Sequence, residues 1–401
     1  MEQELERSLN DKLMQKMRKE WILKIVFSVV LFTITYTIAL RLTSLSRSDF
    51  AVHLKSAKQI HFRTVINYLL THVYVMWHML VRIFYKVFAM PMDYAAAVVS
   101  GFANVASYLV AERIIKKYQA EKSELIAFCL MLVNSIYIPW FSSKQARGIN
   151  TWHNPTNPMT KPFAICCFFM VLGFLDAIHK HRKIEKKQYI ILSVLIFLSV
   201  AAKPSFIQAF IPGLGAYLLF LCVKNRFRNF RQYFYLCLTF VPGVLLVFYQ
   251  AMHFWGPEGT RGGIGIEWLK VMSHGTPNVW ISQLLVLCFP LLYLVLNVKT
   301  ILKKADVQLS IFYFVAAWLE KALLYEKVGT YHGNFTWASH IAAFVLFMLV
   351  TIYFVKDIQS MRINDKVQVI KNSVLLTVFL IHLLCGSWYV YRMITQAKML
   401  Y

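Results

Sequence analysis

Along the chain, apolar residues run in blocks of roughly 18 to 24, close to the 20 or so that an α-helix needs to cross about 30 Å of hydrocarbon. Short clusters of Lys and Arg separate the blocks. The ten-residue alternation of an outer-membrane barrel strand is missing. The pattern predicts an all-α polytopic membrane protein with about eleven transmembrane helices: 21–42, 92–114, 123–141, 162–179, 188–203, 205–223, 231–254, 278–298, 308–326, 340–358 and 371–391. Another apolar stretch, 66–88, carries His72, His78, Arg82 and Lys86, and reads as an interfacial helix. The first block exceeds a signal-peptide core. The run Arg41-Leu42-Thr43-Ser44-Leu45 after it offers no small-residue cleavage pattern, so it is expected to be a retained span.

Composition supports this reading. Of 401 residues 58% are hydrophobic, and mean hydropathy is +0.52. A soluble protein of this size could not bury that much apolar surface, so the excess belongs to a bilayer. With no repeat, low-complexity tract or Gly/Ser linker, residues 1–401 are expected to form a single transmembrane domain, with 43–91 as a first external loop.

Charge then orients the chain. The formal net charge of +24, from 43 Lys and Arg against 19 Asp and Glu, would suggest nucleic acid in a soluble protein. Here the cations fall in six clusters between the blocks: Arg7 to Lys19, Arg113 to Lys122, Lys180 to Lys187, Lys224 to Arg231, Lys299 to Lys304 and Lys356 to Lys371. The positive-inside rule makes all six cytoplasmic, and no nucleic-acid partner is expected. The amino terminus is then cytoplasmic and the carboxyl end external. Segments 43–91, 142–161, 255–277 and 327–339 face outward. A twelve-span reading would put Lys116 and Lys117 on the wrong side. The seven cysteines lie in apolar blocks with no CxxC and no nearby His pair, so reduced thiols are expected rather than disulfides or zinc, and no cofactor is expected.

The external segments hold the candidate chemistry. After the first block comes Ser48-Asp49-Phe50-Ala51-Val52-His53, where Phe50, Leu54, Ala57 and Ile60 recur at helical spacing and predict a short surface helix. Asp49 suits two roles: the N-cap of that helix, or a general base at the mouth of an external cavity. The loop Trp152-His153-Asn154-Pro155-Thr156-Asn157-Pro158 combines turn residues with hydrogen-bonding groups and an indole able to stack on a sugar ring. It reads equally as an interfacial turn with an aromatic-belt Trp. Lys203-Pro204-Ser205 puts a cation at a tight hairpin between two blocks. A membrane-edge Lys is by default a functional candidate, with snorkelling as the alternative. The Gly-rich 255–265 segment follows no strand and is no nucleotide loop. It reads as a flexible loop whose Arg261 can hold a phosphate through two parallel hydrogen bonds. His332, in Tyr331-His332-Gly333-Asn334-Phe335, adds an imidazole.

With Asp49 and His53 after the first span, Tyr74-Val75-Met76-Trp77-His78 as a juxtamembrane helix, and a second span ending Glu112-Arg113-Ile114-Ile115-Lys116-Lys117, the chain resembles the GT-C superfamily of membrane glycosyltransferases. The resemblance covers most of the chain in topology. It implies inverting transfer of a sugar from a polyprenyl-phosphate-linked donor to a glycan or lipid acceptor of the cell envelope, on the external face, with Asp49 as base. Many relatives carry an acidic pair where this chain has Asp49 alone, so dependence on a divalent metal is left open. The juxtamembrane helix lacks the family's prolines, and no soluble carboxy-terminal domain is read. Side and chemistry, not the family motif, suggest Lys203, Arg261 and His332 for the donor phosphate and Trp152, His153 and Asn154 for the sugar pocket. Two other classes fit the architecture. A flippase for a lipid-linked saccharide would need polar, Gly/Pro-broken helices in both halves, and Lys203-Pro204 has no counterpart. An envelope polymerase or ligase would rely on external Arg and His and would not need Asp49.

Overall fold

The structure, a computed structural model, describes residues 2–46, 48–138, 148–256, 262–361 and 365–396, with side chains described from residue 14 on, residue 62 excepted. The first long helix, α1 (Glu2–Thr43), is followed by three short ones, α2 (Asp49–Gln59), α3 (Val65–Thr71) and α4 (Val75–Val87). Then come α5 (Met92–Lys117), α6 (Ser123–Leu132), α7 (Thr156–His179), α8 (Lys186–Ala202), α9 (Ser205–Lys224), α10 (Phe230–Leu238) and α11 (Val241–Trp255). A strand β1 (Ile264–Ile266) and α12 (Lys270–Gly275) lead into α13 (Val279–Leu296), α14 (Val298–Ile301) and α15 (Ala305–Leu323). The strand β2 (Leu324–Glu326) precedes α16 (Trp337–Gln359) and α17 (Lys366–Gln396). The two strands pair antiparallel, Ile264 opposite Glu326 and Ile266 opposite Leu324, tying the α11–α12 connection to the end of α15.

The chain is a multi-pass membrane protein. Among the described residues, seven helices are long and apolar enough to cross a bilayer: α1 from Met14, α5, α7, α9, α13, α17 and the segment Asn334–Gln359 that contains α16. The pair α10 and α11, bent by 50°, makes an eighth if the two together form one broken span rather than a re-entrant loop. The other three of the eleven expected spans correspond to α6, α8 and α15, which fall short for identifiable reasons. The ten residues of α6 give way at Val133 to irregular chain. Helix α8 has 17 residues. Helix α15 carries Asp306, Glu320 and Lys321.

Burial follows composition. In α16 every residue from Ala338 to Ile352 is buried, as expected of a helix apolar on all sides. Helix α15 packs between α9 and α16, α7 lies against α5 and α8, and α1 runs along α5. Two apolar clusters result, one linking α1, α5, α13, α16 and α17, the other linking α7, α8, α9 and α15. By contrast α1 and α17 leave Trp21, Ile22, Ile25, Val29, Leu384 and Trp388 uncovered. Such a surface is unfavourable in water and suits lipid. All seven cysteines are free thiols.

Candidate active site

The polar residues of the first loop are set by the start of α2. Ser48, not Asp49, is its N-cap: the Ser48 Oγ accepts a hydrogen bond from the Ala51 N–H at 3.0 Å and donates to the Leu42 carbonyl. Asp49 is therefore the first helical residue, and the capping role that the sequence offers it belongs to its neighbour. With Phe50, Ala51 and Ala57 buried, the half-buried Asp49 carboxylate is directed to the 153–156 loop, where Asn154 Nδ2 donates to its Oδ2 at 2.9 Å. Among the described residues, Oδ1 has no hydrogen-bond partner.

One turn further along α2, His53 shares the helix face of Asp49. Its Nδ1 is hydrogen-bonded to His78 Nε2 at 3.0 Å, and its ring stands edge-on to Tyr74 at 5.2 Å between centroids. Tyr74 sits at a positive φ of 72°, where α3 ends and α4 begins. A non-glycine residue in that region is uncommon and turns the chain sharply. Burial, then the neighbouring His78 and Lys203, hold the His53 imidazole well below its usual range. Burial, helped by His72, takes His78 down to about 3. Both rings are therefore neutral at physiological pH.

Lys203 arrives from the α8–α9 hairpin. A residue before proline avoids the helical region, and Lys203 is extended, with φ −169° and ψ 128°. This breaks the apolar run and turns the side chain inward, where it is 2% exposed. Its Nζ donates to Thr156 Oγ1 at 3.2 Å, lies 3.5 Å from Asn154 Oδ1, and sits over the Trp337 ring at 4.0 Å and the Tyr74 ring at 5.1 Å. Aromatic faces offset part of the cost of burying a cation. Burial nevertheless brings the ammonium down to about 7, with the nearby Asp49 charge acting in the opposite direction. Asn154 links Asp49 to Lys203. Its Oδ1 accepts from the Thr156 and Asn157 N–H groups at 3.1 and 2.9 Å, satisfying the start of α7, while its Nδ2 holds Asp49.

A small crevice, about 280 Å³ counting its open side but with room for little more than one water inside, adjoins Lys203 and is lined by Val73, Tyr74, Pro204, Ser205, Gln208, Trp255, Asn334 and Phe335. Trp255 and Phe335 are stacked at 5.6 Å, and the buried Ser205 Oγ has no hydrogen-bond partner among the described residues. Glu326 accepts from Trp255 Nε1 at 2.9 Å and from Asn334 Nδ2 at 3.0 Å, which fixes one wall.

The structure thus brings together Asp49, His53, Asn154 and Lys203 from three distant parts of the chain. His153 lies next to them, its Nδ1 hydrogen-bonded to Tyr389 Oη at 2.6 Å and its ring 5.8 Å from Trp337. Trp152 is elsewhere, 3% exposed within the core that joins α1, α5 and α16. His332 is exposed in the turn after β2. Arg261 lies outside the described residues. Sequence reading gave no role to Tyr74, Thr156, Trp255 or Trp337, whose aromatic faces and hydroxyl acquire a role only through folding. Ser205 and Asn334 stand two residues from Lys203 and His332, within the motifs that sequence reading singled out, and the Asn334 amide stood there without a role.

No protein-family model matches the chain, and no curated protein is similar to it in sequence. Among solved structures, ArnT from Cupriavidus metallidurans bound to undecaprenyl phosphate is similar at a TM-score of 0.50 and 9% identity. The match covers 94% of this chain and 73% of that one. The apo state of the same protein matches at 0.43 and 10%, over 96% and 73%. The fold is GT-C-like.

Proposed function

We propose that the chain is a membrane glycosyltransferase that moves a sugar from a polyprenyl-phosphate-linked donor to a hydroxyl of a cell-envelope glycan or lipid, on the external face, with inversion at the anomeric carbon. One observation carries the reading. A carboxylate anchored through one oxygen and open at the other shares a buried polar cluster with the Lys203 ammonium, in a GT-C-like fold. In this mechanism Asp49 Oδ1 takes the proton of the acceptor hydroxyl as that oxygen attacks the anomeric carbon. The bond from that carbon to the donor phosphate oxygen breaks, and polyprenyl phosphate leaves with the electron pair. Lys203 offsets the charge that grows on the phosphate, where a buried cation acts more strongly than one in water. Arg261 and His332 would join it if the loops carrying them close over the donor. His53, neutral and on the face of Asp49, is the second candidate for proton handling, while Asn154 positions both charges. The crevice beside Lys203 offers aromatic faces with Ser205, Gln208 and Asn334 at its edge; its interior is too small for a sugar ring, so the donor sugar would lie at its open mouth. His153 supports that side through Trp337.

The undecaprenyl phosphate bound to ArnT makes a polyprenyl phosphate the donor class to test first. The experiment is transfer from a synthetic polyprenyl-phosphate sugar by purified Asp49→Asn. Since Ser48 holds the cap, the variant should fold and bind donor as wild type does, yet turn over roughly 100-fold or more slowly, the usual share of a positioned base. Turnover near wild type would remove Asp49 from the mechanism and with it the case for this reaction.

A further inference from the structure

A groove of about 1070 Å³, counting its open side, lies at the end of the bundle opposite the Asp49 cluster. Helix α7 relates the two places. It starts at Thr156, which bonds Lys203, and ends at His179, 23 residues and about 35 Å further along at 1.5 Å per residue. Cys166, Phe169, Met170, Gly173, Phe174 and Ala177 line the groove at spacings of three and four, so one face of α7 forms its floor. Gln188 and Leu195, seven residues apart on α8, and Ile114 on α5 form the walls. At its outer end stand three cations, Lys117 from the last turn of α5 and Arg182 and Lys183 from the α7–α8 loop. Two of the basic clusters that the sequence separates by some 60 residues therefore converge on one opening.

The charges around this opening do not cancel. Asp176 is taken by Arg182 and, at 2.8 Å, by Lys180. Glu185 caps α8 in a reciprocal arrangement with Gln188. Glu121 lies beyond the end of α5. Lys117 and Lys183 are exposed and have no hydrogen-bond or ion-pair partner among the described residues. From Ala177 to Cys166 the floor is about 17 Å long by the helical rise, close to the roughly 15 Å that one leaflet contributes to the hydrocarbon core. Gly173 keeps the middle of the floor open, because a Cβ placed there meets no atom within 4 Å.

We propose that this groove is a binding site for an anionic glycerophospholipid. Its phosphate sits between Lys117 and Lys183, and one acyl chain lies along α7 over Gly173. A cation-rimmed pocket between spans is the form such sites take on the positively charged face of a membrane protein. The leaflet-long floor suits an acyl chain better than the much longer polyprenyl chain.

The test is native mass spectrometry of the full-length protein, released from neutral detergent after incubation with phosphatidylglycerol, phosphatidylcholine or undecaprenyl phosphate. Phosphatidylglycerol should be retained as one tight adduct and phosphatidylcholine should not. Lys117→Gln with Lys183→Gln should weaken retention about 25-fold, roughly five-fold per lysine. Gly173→Leu puts a branched side chain into the floor at a position where its Cβ meets no atom within 4 Å, and replaces glycine by a better helix former. It should abolish the adduct while leaving thermal unfolding in detergent unchanged. Equal retention of phosphatidylcholine, an unaltered adduct in Gly173→Leu, or displacement of phosphatidylglycerol by equimolar undecaprenyl phosphate would overturn the assignment. None of these readouts involves sugar transfer, so the outcome is independent of the proposed reaction.

Discussion

Lys203 is a buried amine whose closest contacts are a hydroxyl, an amide oxygen and two aromatic faces, which is why burial brings it to about 7. A donor phosphate would stabilise the charged form and raise that value in the complex. Only protonated Lys203 gains from the phosphate, so donor affinity should be flat below pH 7. Above pH 7 it should fall, by up to tenfold per unit, as binding comes to require proton uptake. Calorimetric titration with a polyprenyl-phosphate sugar between pH 6 and 9 measures this. Lys203→Arg should flatten the profile because the guanidinium stays charged, and a wild-type affinity constant across that range would exclude Lys203 from the phosphate. The cap gives a second contrast. Ser48→Ala should cost about 0.5 to 2 kcal/mol in stability, whereas Asp49→Ala should cost less and lose transfer instead. Thermal unfolding and turnover of the two proteins separate these effects. Asp49, His53, Asn154 and Lys203 were legible in the sequence because a charged or amide group at the edge of an apolar block has few reasons to be there. Trp152 was not, since an indole at such an edge reads the same whether it faces a ligand, the lipid boundary or the core that in fact holds it.

At the scale of elements, residues 133–138 depart most from the sequence reading, which runs a helix through 123–141; of that span, 139–141 lie outside the described residues. The helix stops at Leu132 because α17 crosses there so closely that a Cβ on Gly386 would lie 1.8 Å from the Leu132 carbonyl oxygen. A stretch as short as Val133 to Ile138, with Asn134 and Ser135 among its six residues, carries no periodicity that separates helix from extended chain. Irregular backbone at membrane depth survives only where protein groups satisfy it, and two asparagines do so here. Asn134 Oδ1 accepts from the Ser135, Gly148 and Ile149 N–H groups at 3.0 to 3.1 Å. Asn150 Nδ2 donates to the Leu130 and Val133 carbonyls at 2.9 and 2.8 Å, and its Oδ1 accepts from buried Lys161 at 2.6 Å. Asn150→Ala leaves both carbonyls and an ammonium without partners at about 1 to 3 kcal/mol each. It should therefore lower stability by roughly 3 kcal/mol or more, and Lys161→Met added to it should recover part of the loss through coupling. Thermal unfolding of the two single variants and the double variant in detergent measures the cycle. A loss below about 0.5 kcal/mol in Asn150→Ala would mean that this segment is held by its apolar contacts alone. Because Asn150 lies just before Trp152, His153 and Asn154 in the chain, the same variant should also disturb the placement of Asp49.

For the molecule as a whole, the two ends of the bundle differ in kind: one gathers Asp49, Lys203 and aromatic walls, the other gathers unpaired lysines. By the positive-inside rule that asymmetry predicts an orientation, with the lysine end expected to be cytoplasmic and the Asp49 end expected outside. Between Lys183 and Val328 the chain passes through α8, α9, the bent pair α10 and α11, α13, and α15. If all five units cross, the number is odd and the two residues lie on opposite sides. If α8 and α15, the two that fall short in length or apolarity, both failed to cross, the count would still be odd. If only one failed, the residues would share a side. Single cysteines at 183 and 328, both exposed positions, in a background with the seven native cysteines replaced, make the test direct and avoid Trp152, whose burial would hide it from any reagent. A membrane-impermeant maleimide should label position 328 in intact cells and position 183 only after lysis. Labelling of both in intact cells would show that one or all three of α8, α15 and the bent pair α10–α11 do not span. The positive cluster around Lys183 would then face outward, and the assignment of the lipid groove to the cytoplasmic side would fail.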